Sequence, residues 1–427
     1  MIEISPATIE QYFDKLFPIC RSITGNGVRQ TIDILKEIVP LYVHEVPTGT
    51  TCFDWEIPKE WNINDAYIIT PEGKKIADFK VHNLHIVNYS TPIQAEMSYD
   101  ELLPHLHTLP LMPDAIPYYT SYYKETWGFC LTHNEFEKLP KTGTYKVVVD
   151  SELKAGSMTY ADLVLKGETD EEILFSAYTC HPSMANNELS GPLVQAFLYQ
   201  KIAAMTKRKY TYRFVFAPET IGIIYYLSKH GEHLKTNLKA GYVVTCCGDA
   251  GDFTYKRSRR ITSEADVVAE HVLAYSGNKY TILPFAIGGS DERQYCSPGF
   301  NLPVGSFIRT KYQEYKEYHT SLDNKDFISF DAMYETINMI FDVVKALEIN
   351  EKYMGSIQHC EAQLGRRGLY SNLGGLKNRS NELSNRLHFL NYADGEHTLR
   401  EVAELSNQSM LNFEKEIQLL KDHGLIV

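Results

Sequence analysis

The sequence contains no apolar run long enough to cross a membrane, and residues 1–6 show no signal-peptide pattern. Its eight cysteines include no CxxC pair and follow no regular spacing, which argues against a disulfide framework and against a cysteine-rich zinc site. Positive charge is also scarce, and the formal net charge of −12 argues against a surface made wholly for nucleic acid or anionic lipid. These absences predict a cytoplasmic protein with no membrane partner.

The length of 427 residues exceeds what one ordinary hydrophobic core accommodates, so we expect two or three domains. From about residue 158 onward, strand-like segments alternate with helix-like ones, which is typical of an α/β fold with a mostly parallel sheet flanked by helices. Two predicted helices fill the first forty residues, and short alternating segments broken by turns follow them. We therefore predict a main domain of residues 1–41 and 146–372 that carries a small β-rich insertion at residues 42–145.

The predicted insertion is dense in aromatic residues. They include Trp55, Trp61, Tyr118, Tyr119, Tyr122, Tyr123 and Trp127. Such a set could form a face that binds sugar or peptide, or it could pack a small sheet. We favour packing, because aromatic side chains are common in strands and fill small cores well.

The end of the chain has the pattern of a winged-helix domain. Residues 374–380 are rich in glycine and polar residues and are predicted to be a linker. Within residues 385–427, two helical segments separated by a turn are followed by a short strand-like segment. From Arg386 onward, four Lys or Arg stand against seven Asp or Glu, a net charge of −3 that has the wrong sign for binding phosphates. We expect this domain to contact a protein partner or to self-associate, and we do not expect it to bind nucleic acid.

Four predicted strands of the main domain each lead to a residue that can bind metal or transfer protons. Three of the strands end at His181, Glu219 and Asp249, and the fourth leads through a short loop to His319. In an open α/β sheet, ligands bind outside the carboxyl ends of the strands. Zinc takes histidine nitrogen and carboxylate oxygen, and a catalytic zinc leaves one position open for water. The pattern predicts a zinc hydrolase site in which Glu219 is the catalytic base.

A polar loop at residues 288–299 precedes the last of these strands. Its adjacent glycines would let a ligand approach the backbone closely, and Asp291 or Arg293 could hold a substrate amine or carboxylate. An ordinary turn rich in polar residues has the same composition. The loop is therefore a candidate binding segment and no more than that.

These residues carry a family resemblance. The order and spacing of His181, residues 187–191, Glu219, Asp249 and residues 318–320 resemble the co-catalytic zinc aminopeptidase clan, which includes glutaminyl cyclase and glutamate carboxypeptidase. The whole chain is more closely similar to a bacterial family of aminopeptidase-like proteins, some encoded near polysaccharide-biosynthesis genes. That resemblance implies a zinc-exopeptidase-like sheet, an inserted β domain and a C-terminal winged helix.

The chain departs from the two-zinc pattern at two positions. Asn187 stands where the clan has an aspartate that bridges both metals, and Thr220 stands where a second glutamate follows the base Glu219. An amide brings no charge to hold two dications about 3.5–4 Å apart. We therefore expect one zinc ion rather than two.

The resemblance and these departures together predict the site residues. The expected metal ligands are His181, Glu188, Asp249 and His319, with Asp249 either a ligand or a residue that orients one. The expected substrate-binding residues are Asn187, Asp291, Arg293 and Tyr318.

The predicted function is that of a metal-dependent exopeptidase, an aminopeptidase that hydrolyses the N-terminal bond of a peptide or the bond of a small amide. Two alternatives stay open. The same chemistry could act on another amide, such as an N-acyl sugar or a peptide conjugate connected with polysaccharide metabolism. The substituted ligands could instead mark a binding or scaffold protein that keeps the fold without turnover.

Overall fold

The computed structural model describes residues 2–370 and 381–427. The predicted linker at residues 374–380 lies outside these residues. Over the two described ranges, no helix combines the length and the apolar character that a bilayer span requires.

Helices and strands alternate through most of the described chain. The α-helices are α1 (Pro6–Leu16), α2 (Asn26–Leu35), α3 (Tyr99–Leu102), α4 (His133–Phe136), α5 (Ser190–Ala203), α6 (Ile221–Asn237), α7 (Glu264–Tyr275), α8 (Glu292–Tyr295), α9 (Phe330–Ile349), α10 (Asn381–Tyr392), α11 (Leu399–Leu405) and α12 (Glu414–Asp422). The strands are β1 (Tyr42–Pro47), β2 (Thr51–Cys52), β3 (Trp55–Glu56), β4 (Glu60–Ile69), β5 (Lys75–Ile76), β6 (Ile93–Met97), β7 (Leu106–His107), β8 (Phe129–Cys130), β9 (Tyr145–Lys154), β10 (Ser157–Leu165), β11 (Glu172–Tyr178), β12 (Thr211–Ala217), β13 (Leu238–Val244), β14 (Phe253–Lys256), β15 (Tyr280–Leu283), β16 (Val304–Ile308), β17 (Lys352–Met354) and β18 (Asp394–Thr398).

The main sheet has eight strands in the order β1-β10-β12-β11-β13-β16-β14-β15. Its four central strands, β12, β11, β13 and β16, run parallel, whereas β1, β10 and β14 add antiparallel pairs. Every residue of β11 and β12 is buried, as expected for strands covered by helices on both faces. The predicted α/β fold with a mostly parallel sheet is therefore confirmed, and the carboxyl ends of the central strands share one edge.

Helix α5 does not start directly after β11. A π-helical turn, Ala185–Leu189, precedes it, and all five residues of this turn are buried. Gly191 in the first turn of α5 lies against the backbone of β13, because a Cβ built there would be 2.3 Å from the Val244 carbonyl oxygen. This close approach holds the π-helical turn beside the carboxyl edge of the sheet.

A second sheet, in the order β5-β4-β9-β6, forms the β-rich insertion. Both boundaries of the insertion differ from the prediction. Strand β1 starts at residue 42 but pairs with β10 in the main sheet, whereas β9 continues the small sheet to residue 154. The pattern of short alternating segments does not reveal which sheet a strand joins, because that depends on long-range pairing.

Of the described residues, 267–278, 339–370 and 381–427 form a separate compact unit. In it, β17 pairs with β18, and α10 to α12 pack around buried residues such as Phe389 and Phe413. Arg386 and Glu416 form a buried ion pair at 2.8 Å. The predicted start of this domain at residue 385 is too late, because β17 supplies its first strand.

Arg29 on α2 connects three other elements. Its guanidinium reaches Glu60 at the start of β4 at 2.8 Å, as well as Glu45 on β1 and Ser157 on β10. The hydrogen bonds from Arg29 hold the pKa of Glu60 down to about 2. The stability that this pair adds is complete above the ordinary carboxyl pKa near 4.5 and is lost as the pH falls towards about 2.

We predict that Glu60→Gln lowers the thermal unfolding midpoint by a few degrees at pH 7 and by progressively less as the pH falls below about 4.5. Thermal unfolding measured between pH 7 and pH 3 tests this. The control is Glu152→Gln, which removes an exposed partner of Lys154 and should change the midpoint little. A Glu60→Gln effect that is the same at every pH would contradict the assignment.

Candidate active site

The carboxyl edge of the main sheet brings His181, Glu219 and His319 together. His181 follows β11, Glu219 follows β12, and His319 follows β16. The Nε2 atom of His181 is 3.7 Å from a carboxylate oxygen of Glu219, and the two imidazole rings are 5.5 Å apart between centroids. His181 is therefore in contact with Glu219 on its Nε2 side and with the His319 ring.

A buried ion pair fixes the orientation of His181. Glu188 in the π-helical turn accepts a hydrogen bond from His181 Nδ1 at 3.0 Å, which leaves Nε2 free to face Glu219. Arg21, which is fully buried, lies 3.7 Å from Glu188 and donates a hydrogen bond to the His181 carbonyl oxygen. Burial acts to lower the pKa of His181, but the hydrogen bond and charge of Glu188 raise it above its usual value.

The insertion holds the segment that carries His319. Tyr118 donates its backbone N–H to the His319 carbonyl oxygen at 2.9 Å, and its ring lies 5.2 Å from the His319 ring and 5.3 Å from the His181 ring. Tyr318 stacks on His319 with 3.9 Å between the ring centroids. His319 has a φ of 56°, a conformation that costs energy and is often found at functional sites. Burial lowers the pKa of His319 to about 3, so its imidazole is neutral.

Asp323 anchors the π-helical turn next to the histidines. Its carboxylate accepts hydrogen bonds from the backbone N–H groups of Asn186 at 2.6 Å and Asn187 at 2.9 Å. The Asn187 side chain donates to the Tyr178 hydroxyl at 3.1 Å. In the described part of the chain, Asn187 Oδ1 and His319 Nε2 are both buried and lack a hydrogen-bond partner. Unpaired buried acceptors of this kind are what a bound cation would satisfy.

Both carboxylate oxygens of Asp249 accept hydrogen bonds from residues outside the histidine cluster. Its two oxygens accept hydrogen bonds from the Asn186 side chain at 2.9 Å, the Thr310 hydroxyl at 2.6 Å, the Thr310 N–H at 3.1 Å and the Gly251 N–H at 2.7 Å. The structure therefore does not bring the Asp249 carboxylate to the histidine cluster. None of these partners is a predicted metal ligand, so the contacts show neither of the two roles predicted for Asp249, as a ligand or as a residue that orients one.

Glu219 is followed by a strained turn. Ile221 donates its N–H to the Glu219 carbonyl oxygen at 2.8 Å across Thr220, which has a φ of 66°, in a rare type of γ-turn. Two residues of the predicted binding loop meet this turn. Asp291 accepts the Thr220 N–H at 2.7 Å, and Arg293 donates to the Thr220 hydroxyl at 2.9 Å.

Burial raises the pKa of both carboxyl groups beside this turn. The pKa of Glu219 is raised by burial, although the charges of His181 and Arg293 oppose the rise. The pKa of Asp291 is raised well above its usual value by burial and by the charge of Glu219. The second oxygen of Asp291 is buried and has no hydrogen-bond partner among the described residues. The site therefore holds two close carboxyl groups that would gain from a nearby cation.

Two places beside His181 could accept a metal. On the Nδ1 side, Cys180, His181 and Glu188 offer ligand atoms within 4.8 Å of one another. The buried guanidinium of Arg21 beside Glu188 opposes a dication there, and burial holds the Cys180 thiol protonated by raising its pKa well above the usual value. On the Nε2 side lie Glu219, 3.7 Å from that nitrogen, and the His319 ring, 5.5 Å from the His181 ring between centroids. The donor set fits zinc better on the Nε2 side, so Glu188 faces the nitrogen opposite to the one that we assign to the metal.

The sequence analysis did not identify three residues that form part of this site. Tyr118 stood out only as one of several aromatics, and Arg21 and Asp323 carried no signal of their own. Arg21 and Asp323 are charged residues in loops, a property that they share with many other residues of the chain. Their contacts with His181 and Asn187 depend on long-range packing.

The comparisons with known proteins agree with this architecture. Residues 10–350 match the model of a family described as a domain of unknown function, DUF4910, and residues 352–427 match a winged helix-turn-helix family. A Clostridium acetobutylicum protein, named provisionally as a polysaccharide biosynthesis protein with an aminopeptidase-like domain, is 47% identical over 395 residues. That match covers 92% of this chain and 90% of the relative.

Two solved structures extend the comparison. A crystal structure from Clostridium acetobutylicum, of a protein described provisionally as a peptidase, has a TM-score of 0.93 and 44% identity and covers 99% of this chain and 96% of its own. BSAP, a zinc aminopeptidase of Bacillus subtilis, has a TM-score of 0.57 at 10% identity, with 81% of this chain and 96% of BSAP covered, and so shares the fold. The chain belongs to the DUF4910 family, and it combines an aminopeptidase-like α/β fold with a C-terminal winged helix-turn-helix.

Proposed function

We propose that the protein is a metal-dependent exopeptidase of the aminopeptidase type that works with a single zinc ion. The observation that carries this proposal is the position of His181, whose Nε2 is 3.7 Å from the Glu219 carboxylate and whose ring lies 5.5 Å from the His319 ring between centroids. The aminopeptidase-like domain in the name of the Clostridium relative and the fold shared with BSAP support the same class.

The ligands that we assign to the zinc are His181 Nε2, His319 Nε2 and Asn187 Oδ1. Two of these atoms, His319 Nε2 and Asn187 Oδ1, are buried without a hydrogen-bond partner among the described residues, as is Glu188 Oε1 on the other side of His181. Three protein ligands would leave one position open. When bound, the ion would act as a Lewis acid on the scissile carbonyl and would make a water more acidic. Glu188 orients His181 through Nδ1 in this assignment and is not a ligand.

Glu219 is the proposed base. It takes a proton from the attacking water and delivers it to the nitrogen of the leaving amine, since a carboxylate beside the reacting atoms can serve both steps. Burial raises its pKa towards the range in which a carboxylate can both accept and return a proton. The Cys180 thiol fixes the main chain of Glu219, because its sulfur accepts the Glu219 N–H at 3.3 Å.

Asp291 is the proposed anchor for the α-amine of the substrate. Its unpaired, buried oxygen can accept an ammonium N–H, whereas Asp249 has no oxygen to spare. We predict that Asp291→Asn raises KM for an aminoacyl anilide about 10-fold or more, because a hydrogen bond to a charged group contributes about 1.5–3 kcal/mol. Steady-state kinetics measure the effect, and Asp252→Asn, at an exposed loop carboxylate, is the control. An unchanged KM would contradict the anchor.

A different amide is the second candidate substrate. The name of the Clostridium relative connects an aminopeptidase-like domain with polysaccharide biosynthesis, which favours an amide carried by a sugar. A substrate panel that contains aminoacyl anilides, N-acetylated amino sugars and peptide–sugar conjugates separates the two. Preferred hydrolysis of an amide without a free α-amine would favour this candidate and would remove the role proposed for Asp291.

The deciding experiment is activity of the full chain before and after chelation. We expect turnover of an amide with a free α-amine, loss of turnover after zinc removal, and recovery on addition of one equivalent of zinc. Protein that neither binds zinc nor cleaves any amide in the panel would instead support a scaffold. The C-terminal unit, with its net charge of −3 from Arg386 onward, is proposed to contact protein in either case.

A further inference from the structure

Arg293 is a positively charged residue near the carboxyl groups of Glu219 and Asp291. Its guanidinium donates to the Thr220 hydroxyl at 2.9 Å, and its Nε atom is buried without a partner among the described residues. Thr220 follows Glu219 in the chain and donates its N–H to Asp291, so the contact with Thr220 puts the Arg293 cation near both carboxyl groups. The residue as a whole is half-buried.

We propose that the Arg293 guanidinium, held by Thr220, takes the place of a second metal ion and makes this a single-metal site. The inference rests on the proposed function. A second dication about 3.5–4 Å from the first needs anionic ligands. Asn187 and Thr220, the neutral residues that follow β11 and β12 here, bring no charge, and Arg293 would repel the ion.

The same cation has a direct use in the reaction. Negative charge develops on the scissile carbonyl oxygen during attack by water, and a fixed guanidinium in a buried site stabilises such charge without moving. Arg293 is not free to swing away, because Thr220 holds one end and the helix α8 carries the other. Arg293 is therefore a second electrostatic contact for the substrate, independent of the metal.

Metal stoichiometry tests the proposal. Zinc equivalents per chain, measured by mass spectrometry after dialysis, should be one for the native protein and one for the double variant Asn187→Asp/Thr220→Glu, in which Arg293 still opposes a second ion. Adding Arg293→Ala to that double variant should raise the number to two. Two equivalents in the double variant, or one in the folded triple variant, would overturn the proposal. Zero equivalents in the native protein would overturn the proposed function as well.

If the triple variant does not fold, the kinetics of single variants at Arg293 test the same proposal. Arg293→Gln keeps a donor for Thr220 but loses the charge, and it should lower kcat about 10²-fold or more while zinc binding is not weakened. Arg293→Lys keeps the charge and should recover part of that loss. An unchanged kcat in Arg293→Gln would overturn the role of the cation, and a parallel loss of zinc would show that Arg293 only maintains the fold of the site.

Discussion

Replacement of Glu219 by glutamine is expected to lower kcat by about 10²- to 10⁴-fold, the usual contribution of a positioned general acid–base group. Glutamine has nearly the same shape but cannot accept the proton of the attacking water. The Glu219 N–H bond to Cys180 and the γ-turn at Thr220 depend on the main chain, so the variant should keep its fold. Turnover of an aminoacyl anilide at saturating substrate measures the effect.

Zinc affinity is the control for this variant. None of the ligands that we assign belongs to Glu219, so Glu219→Gln should still bind one equivalent. Retained zinc with retained turnover would contradict the assignment of the base. Loss of zinc together with turnover would instead make Glu219 a ligand of the metal.

Replacement of His319 by alanine is expected to have the largest effect on metal binding. The variant loses a buried nitrogen that has no other partner among the described residues, and zinc affinity should fall by more than it does in Glu188→Gln. For Glu188→Gln we expect a loss of about 10- to 100-fold, as is usual for a residue that orients a ligand histidine. Competition with a chromophoric chelator measures both affinities on the same scale.

The comparison between these variants distinguishes the two sides of His181. If the ion bound at Nδ1, Glu188→Gln and Cys180→Ser would remove it, and His319→Ala would leave it in place. Cys180→Ser is the matched control. If the ion binds at Nε2, this variant should bind zinc with the affinity of the native protein.

The strand-end residues were predictable because their positions follow from local patterns. An apolar run that stops at His181 or Glu219 indicates the carboxyl end of a buried strand, and parallel strands bring such ends to one edge. The same argument placed Asp249 there, and it does follow β13. It could not show that Thr310 and Asn186 take up every oxygen of Asp249, because those contacts join segments far apart in the sequence.

The role of Glu188 shows a second limit of the sequence. As the neighbour of Asn187, it was predicted to be a metal ligand alongside His181 and His319, and its carboxylate does contact His181. Which imidazole nitrogen it meets depends on the π-helical turn at Ala185–Leu189, a feature without a sequence signature of its own. The Arg21 guanidinium, whose Nε is 3.7 Å from Glu188, comes from the loop before α2 and was equally unpredictable.

The insertion contributes more to the site than its composition indicated. We expected its aromatic residues to pack a small sheet, and Trp127 does pack against the core of that sheet. Trp61 is buried in the core cluster of the main sheet, and Tyr123 is exposed. Tyr118 instead lies against both histidines, and the backbone of residues 116–118 pairs with residues 319–321. A domain inserted far from His319 in sequence therefore positions the loop that carries it.

The most direct test of the single-zinc site is an anomalous difference map from crystals of the full chain, collected at the zinc absorption edge. Our assignment predicts one peak per chain, within bonding distance of His181 Nε2 and His319 Nε2. A peak between Cys180 and the Nδ1 atom of His181, or two peaks about 3.5–4 Å apart, would contradict it.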